Sequence, residues 1–423
     1  MDSYQETVQY LYNLQFSGIK LGLQNVSRIL NFLGDPQHKW PAIHIAGTNG
    51  KGSTAAFIFA MLREAGLKVG LYTSPHLVDF SERIRINQQM ISWNTIVEYT
   101  RMLRKEIDKN HATFFEATSA IAFHYFAENE VDIAVIETGL GGRLDATNLV
   151  LPKVTVITPV GFDHQQYLGD DVITIAREKA GIIKESIPCV TNNTDPDILA
   201  LFRSVCNSRQ APFYPLNPAQ AINPLNMTFT SATFNLILPD KSLSELEIKM
   251  AGEHQLLNAA LAVSAILKIE TPSLTDTMIR IGLKKAVWPG RMQVIQENPY
   301  VILDVAHNPE GFANVFKFFH EKYKEKRIWT IVGLAKDKDF RKIADILSHH
   351  VSHVGIVDQF SDRALPATTL MDAFNGKVQN VELFHDITEA YEIFTGRVLP
   401  DDIILIIGSH YLAGEFLKKI QIS

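Results

Sequence analysis

IHIAGTNGKGSTAAFIFAMLREAG, residues 43 to 66, decides how the chain is read. An apolar, β-branched run enters a glycine-rich turn and leaves it as a helical stretch ending at Gly66. Such a strand, loop and helix lets backbone N–H groups converge on an anion, while the helix N-terminus adds its partial positive charge. The usual phosphate-loop pattern, G-x-x-x-x-G-K-[ST], fails here, because Gly52 stands between Lys51 and Ser53 and Ile45 occupies the position of the first glycine. The physical requirements survive the insertion. Lys51 can reach the β and γ phosphates, and Ser53 can still donate from the first helical turn.

Working outward, AIHIAG, KVGLYTS, VDIAVIET, VTVITPVG and IPCVTN are short β-branched runs separated by helical segments, one starting near Trp93. That alternation predicts an α/β fold: a mostly parallel sheet carrying the phosphate loop, with helices on both faces. Upstream, residues 4 to 33 have helical spacing interrupted by Gly18 and Gly22, then LGDPQHKWP turns the chain into the first strand. Residues 211 to 250 change character, and NMTFTSATFNLILP and ELEIKM read as an antiparallel insert. The helical AGEHQLLNAALAVSAILKI follows, and VWPGRMQVIQENP reads as a hinge. A second alternation then runs through YVILDVAHNP, RIWTIVGLAKDKD, HVGIVDQF, VELFHD and DDIILIIGSH, which predicts a smaller, Rossmann-like α/β domain. We therefore expect a nucleotide-binding domain over residues 1–296 and a second domain over 297–423.

Composition narrows the function. With 423 residues, 46% of them hydrophobic, the chain can bury more than one core. A net charge of -6 argues against a nucleic-acid or membrane-surface binder, which needs a basic face. Neither Cys189 nor Cys206 lies in a C-x-x-C pair, so disulfide frameworks and zinc sites are not expected. The polar N-terminus and strand-length apolar runs suggest a cytoplasmic protein without a membrane span.

A nucleotide site needs magnesium, and magnesium needs hard oxygen ligands. The strand endings supply candidates. YTSPHLVDFSERIRI places Ser74 after a strand, with His76 and Arg83 nearby; IAVIETGLGGRLDATN ends a strand on Glu137; VTVITPVGFDHQQYLGD places Asp163 and His164 after a third. In an open α/β sheet, ligands bind outside the carboxyl ends of the strands, so these endings should converge on the loop.

Taken together, GTNGKGS, TSPHL with ERIRI, FFEATSAIAF, ETGLGGRLDATN, GFDHQQYLGD with IAREKAGIIK, GEHQLLNA, WPGR, DVAHNP and GSHYLAGE resemble the folylpolyglutamate synthases of the Mur ligase superfamily, many of which in bacteria are also dihydrofolate synthases. The matching stretches occur in order from about residue 18 to residue 415. The resemblance implies a monomeric enzyme that uses ATP to attach L-glutamate to dihydropteroate or to folates. It implies that Gly50, Lys51, Gly52 and Ser53 hold the triphosphate, and that Ser74, Glu137 and His164 ligate two magnesium ions. It puts a carbamylated lysine at Lys179, supporting the second metal, whereas the residues of REKAGIIK alone read as an amphipathic helix with solvated charges. It further implies ATP contacts at Asn258, Arg291 and Asp304, a residue near the phosphates and incoming glutamate at His307, and a pterin site at Phe115, Glu116 and Leu144. Two departures stand out: Gln88-Gln89 replaces a turn glycine after RIRIN, and His410 stands where apolar residues are common.

The chemistry agrees with that expectation. A carboxylate is a poor acyl donor, so a ligase first phosphorylates it, and a neutral amine then attacks the acyl phosphate. Lys51 and magnesium would neutralise the charge that builds on the transferring phosphoryl group, and closure of one domain over the other would protect the acyl phosphate from water. Two other readings make different demands. A murein-precursor ligase usually carries about a hundred further residues before its phosphate loop. A non-enzymatic nucleotide switch would need the loop and metal but not Asp304 and His307.

Overall fold

The computed structural model describes residues 3–14, 22–269 and 274–420. Gly18 lies outside the described residues. The helical spacing before the first strand forms two helices, Tyr4–Asn13 and Gln24–Phe32. The first starts at a capping box in which Ser3 accepts from the Glu6 N–H and Glu6 accepts from the Ser3 N–H.

The chain divides into two compact units. The first comprises Met1–Asn223, Phe234–Glu247 and Leu257–Ala286; the second comprises Pro224–Thr233, Ile248–Leu256 and Val287–Ser423.

In the first unit, eight strands form one sheet: β1 Ala42–Ala46, β2 Val69–Tyr72, β3 Ile84–Ile86, β4 Gln89–Met90, β5 Ile133–Glu137, β6 Pro152–Ile157, β7 Cys189–Thr191 and β8 Phe213–Pro215. Their order is β4-β3-β2-β5-β1-β6-β7-β8, parallel except that β3 runs antiparallel to β2 and β4. At the β3–β4 turn Asn87 takes the left-handed conformation (φ 51), with its amide oxygen accepting from Val69 N–H. Every residue of β1 and β5 is buried, as parallel strands covered on both faces require. From β1 the chain crosses to β2 on the β5 side, whereas β6, β7 and β8 extend the other side. The carboxyl end of β1 is thus the switch point where such sheets bind ligands.

The helix Lys51–Glu64 is buried continuously from Gly52 to Leu62. It packs on the helix Asp276–Lys285, where a Cβ at Gly282 would lie 2.5 Å from Met61 Cα, so only glycine permits that approach. On the other face, Phe123 and Phe126 of the helix Phe114–Glu128 pack edge-on against Trp40, at 5.4 and 5.7 Å between ring centres.

The insert forms a three-stranded sheet of β9 Ile222–Met227, β10 Ala232–Leu238 and β11 Lys241–Ile248, ordered β11-β10-β9. Connections this short join antiparallel neighbours. In the second unit Phe229 stacks on Tyr323 at 3.7 Å and packs against Tyr300 at 4.6 Å.

The second unit carries a six-stranded sheet of β12 Gln293–Glu297, β13 Tyr300–Leu303, β14 Ile328–Val332, β15 His353–Ile356, β16 Asn380–Leu383 and β17 Ile403–Ile407. The order is β12-β13-β17-β14-β15-β16, with only β12 antiparallel to its neighbour. Among the described residues, no helix is long and apolar enough to cross a membrane.

Candidate active site

The loop leaving β1 is shaped by two glycines. Gly50 has φ 85, and a side chain there would collide with the Asn258 amide; Gly47 has φ 152 and would collide with Thr158. Thr48 ties the loop to the segment after β6: its N–H donates to Pro159 O at 2.9 Å, and its hydroxyl donates to Gly161 O and accepts from Gly161 N–H, both at 3.0 Å. The Ser53 hydroxyl, in the first helical turn, is buried and has no partner, and neither has that of Thr54. A buried hydroxyl without a hydrogen bond costs stability, and such groups collect where a ligand completes them.

Two lysines meet at this loop. Lys51 Nζ donates to Gly47 O and Thr48 O, both at 3.2 Å, and Lys179 Nζ donates to Gly47 O at 2.8 Å. Lys179 belongs to the helix Val172–Ala180, whose charges from sequence read as solvated, yet it is only 4% exposed. Burial, followed by the nearby Lys51 charge, pushes its amine down to about 7 despite the opposing pull of Asp163 and Asp145. A fraction of the amine is therefore neutral near pH 7.

Glu137 ends β5, is 4% exposed, and accepts from Ser74 N–H at 3.1 Å. That bond joins the ends of β2 and β5, one strand removed from the phosphate loop. Asp163 and His164 follow β6 on the loop's other side. His164 takes the left-handed conformation (φ 51), and its N–H donates to Asp163 at 2.9 Å. No three His, Cys, Asp or Glu side chains among the described residues form a metal cage. Magnesium asks for less, because it keeps several waters and takes one or two carboxylates plus substrate phosphate oxygens. Glu137, Ser74 and the unpartnered Ser53 hydroxyl form a donor set of that kind.

The segment after β5 is held by Asp145. This fully buried carboxylate accepts from Leu140 N–H at 2.8 Å and from Thr147 N–H at 3.0 Å, with the Thr147 hydroxyl as a further donor. Burial nevertheless pushes its pKa up. Thr147 in turn meets His44 Nε2 at 2.9 Å. Sequence reading missed Thr48, Asp145 and Thr158; Thr158, directly after β6, carried a local signal, whereas Asp145 stands eight residues beyond β5.

Of the residues expected at a pterin site, Phe115 packs on Tyr72 at 5.8 Å and closes over Gly139, where a Cβ would lie 2.5 Å from its ring. Glu116 is 3% exposed and accepts from Thr113 N–H at 2.7 Å, closing the capping box of its helix. Leu144 is half-buried in the loop after β5.

In the second unit, Asp304 at the end of β13 accepts from Met292 N–H at 2.8 Å and Ala306 N–H at 2.7 Å, and so fixes the WPGR loop that carries Arg291. His307 Nδ1 lies 3.0 Å from Val305 O. A carbonyl only accepts, so Nδ1 carries the proton. The ring of His410 lies 5.4 Å from that of His307, which gives the unexplained histidine a place beside an expected one.

Residues 45–266 match the Mur ligase middle domain and residues 290–410 the Mur ligase glutamate ligase domain. The chain is 36% identical to the dihydrofolate synthase/folylpolyglutamate synthase of Bacillus subtilis, over 99% of each chain. The folylpolyglutamate synthase structure from Thermotoga maritima superposes with a TM-score of 0.87 at 33% identity, covering 99% of this chain and 98% of that one. An Escherichia coli structure solved in complex with DHPP and ADP superposes with a TM-score of 0.88 at 29% identity, covering 100% and 98%.

Proposed function

Because this chain belongs to the Mur ligase family, in its dihydrofolate synthase/folylpolyglutamate synthase branch, we propose that it ligates L-glutamate to dihydropteroate and to folates through an acyl phosphate. Family membership makes it an ATP-dependent ligase in folate metabolism. The observation that carries the reading is the phosphate loop itself, with Lys51 and the unpartnered buried hydroxyls of Ser53 and Thr54 beside a second, buried lysine.

In this reading Gly50, Lys51, Gly52 and Ser53 cradle the triphosphate. Lys51 leaves its two carbonyls for the β and γ phosphates, where an ammonium stabilises the charge that develops as phosphoryl transfers to the acceptor carboxylate. Ser74, Glu137 and His164 would hold magnesium, which when bound supplies Lewis-acid stabilisation to the phosphoryl oxygens. Lys179 is suited to carbamylation: its neutral amine would add to carbon dioxide with loss of one proton, and the resulting carbamate oxygens would help to hold the second metal. Asn258, packed against Gly50, is assigned to ATP, as are Arg291 and Asp304. Phe115, with Leu144 and the Glu116 turn, is assigned to the pterin-bearing acceptor. His307 keeps its proton on Nδ1, which makes Nε2 the acceptor nitrogen of the ring, the property needed near an attacking amine. The substrates are small molecules, and we place the reaction in the cytoplasm and assign the enzyme a monomeric state; the two free thiols, Cys189 and Cys206, suit a reducing compartment.

Mass spectrometry of products from dihydropteroate and from tetrahydrofolate, each with ATP and L-glutamate, tests the proposal. Dihydrofolate from the first and a glutamate-extended folate from the second are expected. Absence of one product removes that activity.

A further inference from the structure

We propose that Asn148 is a positioning residue for Lys179: its side-chain amide locks the segment after β5 onto the end of the Lys179 helix and thereby sets where the lysine amine lies at the phosphate loop. The proposal deepens the reading given above, on which the role of Lys179 rests.

The amide is fully used. Asn148 Nδ2 donates to Arg143 O at 3.0 Å and to Gly181 O at 3.1 Å. Lys184 Nζ donates to Asn148 Oδ1 at 2.8 Å and to Asn148 O at 2.9 Å. An ammonium only donates, so the oxygen must face Lys184 and the two amide hydrogens must face the carbonyls. One side chain thus bridges two backbone segments distant in sequence, and a lysine holds it in the orientation that makes the bridge.

The seam has no slack. Arg143 N–H donates to Glu178 O at 2.7 Å. A Cβ at Gly142 would lie 2.8 Å from Glu178 O and 2.9 Å from Lys179 O, and one at Gly181 would overlap Arg143. The two glycine-bearing segments therefore interlock at van der Waals contact around the residue whose amine reaches Gly47 O. The Arg143–Glu178 side-chain pair at 2.8 Å is exposed and adds little. Asn148 is 7% exposed and reaches Lys179 only through the backbone that it ties down.

Asn148→Asp is nearly isosteric and keeps an ion partner in Lys184, but it loses both donors and sets an anion against two carbonyls. Carbamate on Lys179 is read by NMR with 13C-bicarbonate, alongside kcat, KM for ATP and melting temperature of the full chain. Half-occupancy in Asn148→Asp is expected to require about tenfold more bicarbonate, and kcat to fall by about tenfold with KM for ATP changed less than about twofold. Lys184→Met, which leaves the donors but frees the amide, should move both quantities in the same direction by less, and it decides the matter if Asn148→Asp does not fold. The core substitution Leu103→Ala, in the helix Trp93–Lys109 and in a different buried cluster from the Lys179 helix, serves as the control for lost stability alone and should move neither. A bicarbonate requirement and kcat equal to the parent's, whatever the melting temperature, overturn the proposal. If the parent takes up no label, the carbamylation of Lys179 fails instead, and the split between kcat and KM still decides whether Asn148 positions the helix.

Discussion

Lys51 and Lys179 donate to the same carbonyl, that of Gly47, at 3.2 and 2.8 Å. Two cations on one acceptor repel each other, and the buried one yields first, because it has no water to restore its charge. Lys51→Met removes the repulsion and the phosphate ligand together. ADP release should fall by about a thousandfold, as for loss of a charge that acts on the transferring phosphoryl group. The melting temperature should stay level or rise. A fall in both would mean that Lys51 holds the fold rather than the nucleotide.

Gly47 and Gly34 both have positive φ, at 152 and 73, but their surroundings differ. A Cβ at Gly34 meets nothing within 4 Å, whereas one at Gly47 overlaps Thr158. Gly34→Ala should cost about 1 kcal/mol from backbone conformation alone and leave KM for ATP unchanged. Gly47→Ala should cost more, because the loop must move off Thr158, and should raise KM for ATP by about tenfold or more. Urea unfolding and initial-rate kinetics on the two variants check this. Equal costs would contradict the close packing described.

His44 lies on the central strand, fully buried, and burial together with the Lys184 charge pushes its pKa from 6.5 down to about 3. Below pH 6.5 the unfolded chain takes up a proton that the folded chain refuses, so this residue lowers stability progressively as pH falls from 6.5 towards 3, and has no such effect above 6.5. Between pH 6.5 and 5 the parent should lose about 1.5 kcal/mol more than His44→Asn does. Urea midpoints at the two pH values measure it, and parallel losses in parent and variant would show that His44 titrates normally.

His307 and His410 lie 5.4 Å apart, and the Val305 carbonyl fixes the proton of His307 on Nδ1. His307→Ala should lower kcat by about 10²- to 10⁴-fold with little change in KM for ATP. His410→Phe retains a ring against His307 and should cost less, about tenfold. A larger effect from His410 would reverse their roles.

How much of this was legible in the sequence follows from what each feature depends on. The strands, the phosphate loop and the order of Ser74, Glu137 and His164 could be read, because an apolar strand followed by glycines or a lone polar residue is a local signal. The burial of Lys179 was not, since it depends on Gly142, Asn148 and Arg143 closing over its helix from far along the chain. The assignment of residues 224–233 to the second unit was equally hidden: it rests on the stacking of Phe229 against Tyr323 and Tyr300, which no local pattern announces. At the Gln88-Gln89 departure, Asn87, a residue that tolerates positive φ, takes the left-handed conformation of the turn.

The central claim is that ATP is consumed only when a carboxylate acceptor and an amine are both present. The direct measurement is ADP release by the full chain with ATP and magnesium, omitting in turn L-glutamate and the pteroate or folate acceptor. The account predicts sustained turnover with both present and near-background release when either is omitted. Turnover that is unchanged without L-glutamate would contradict it.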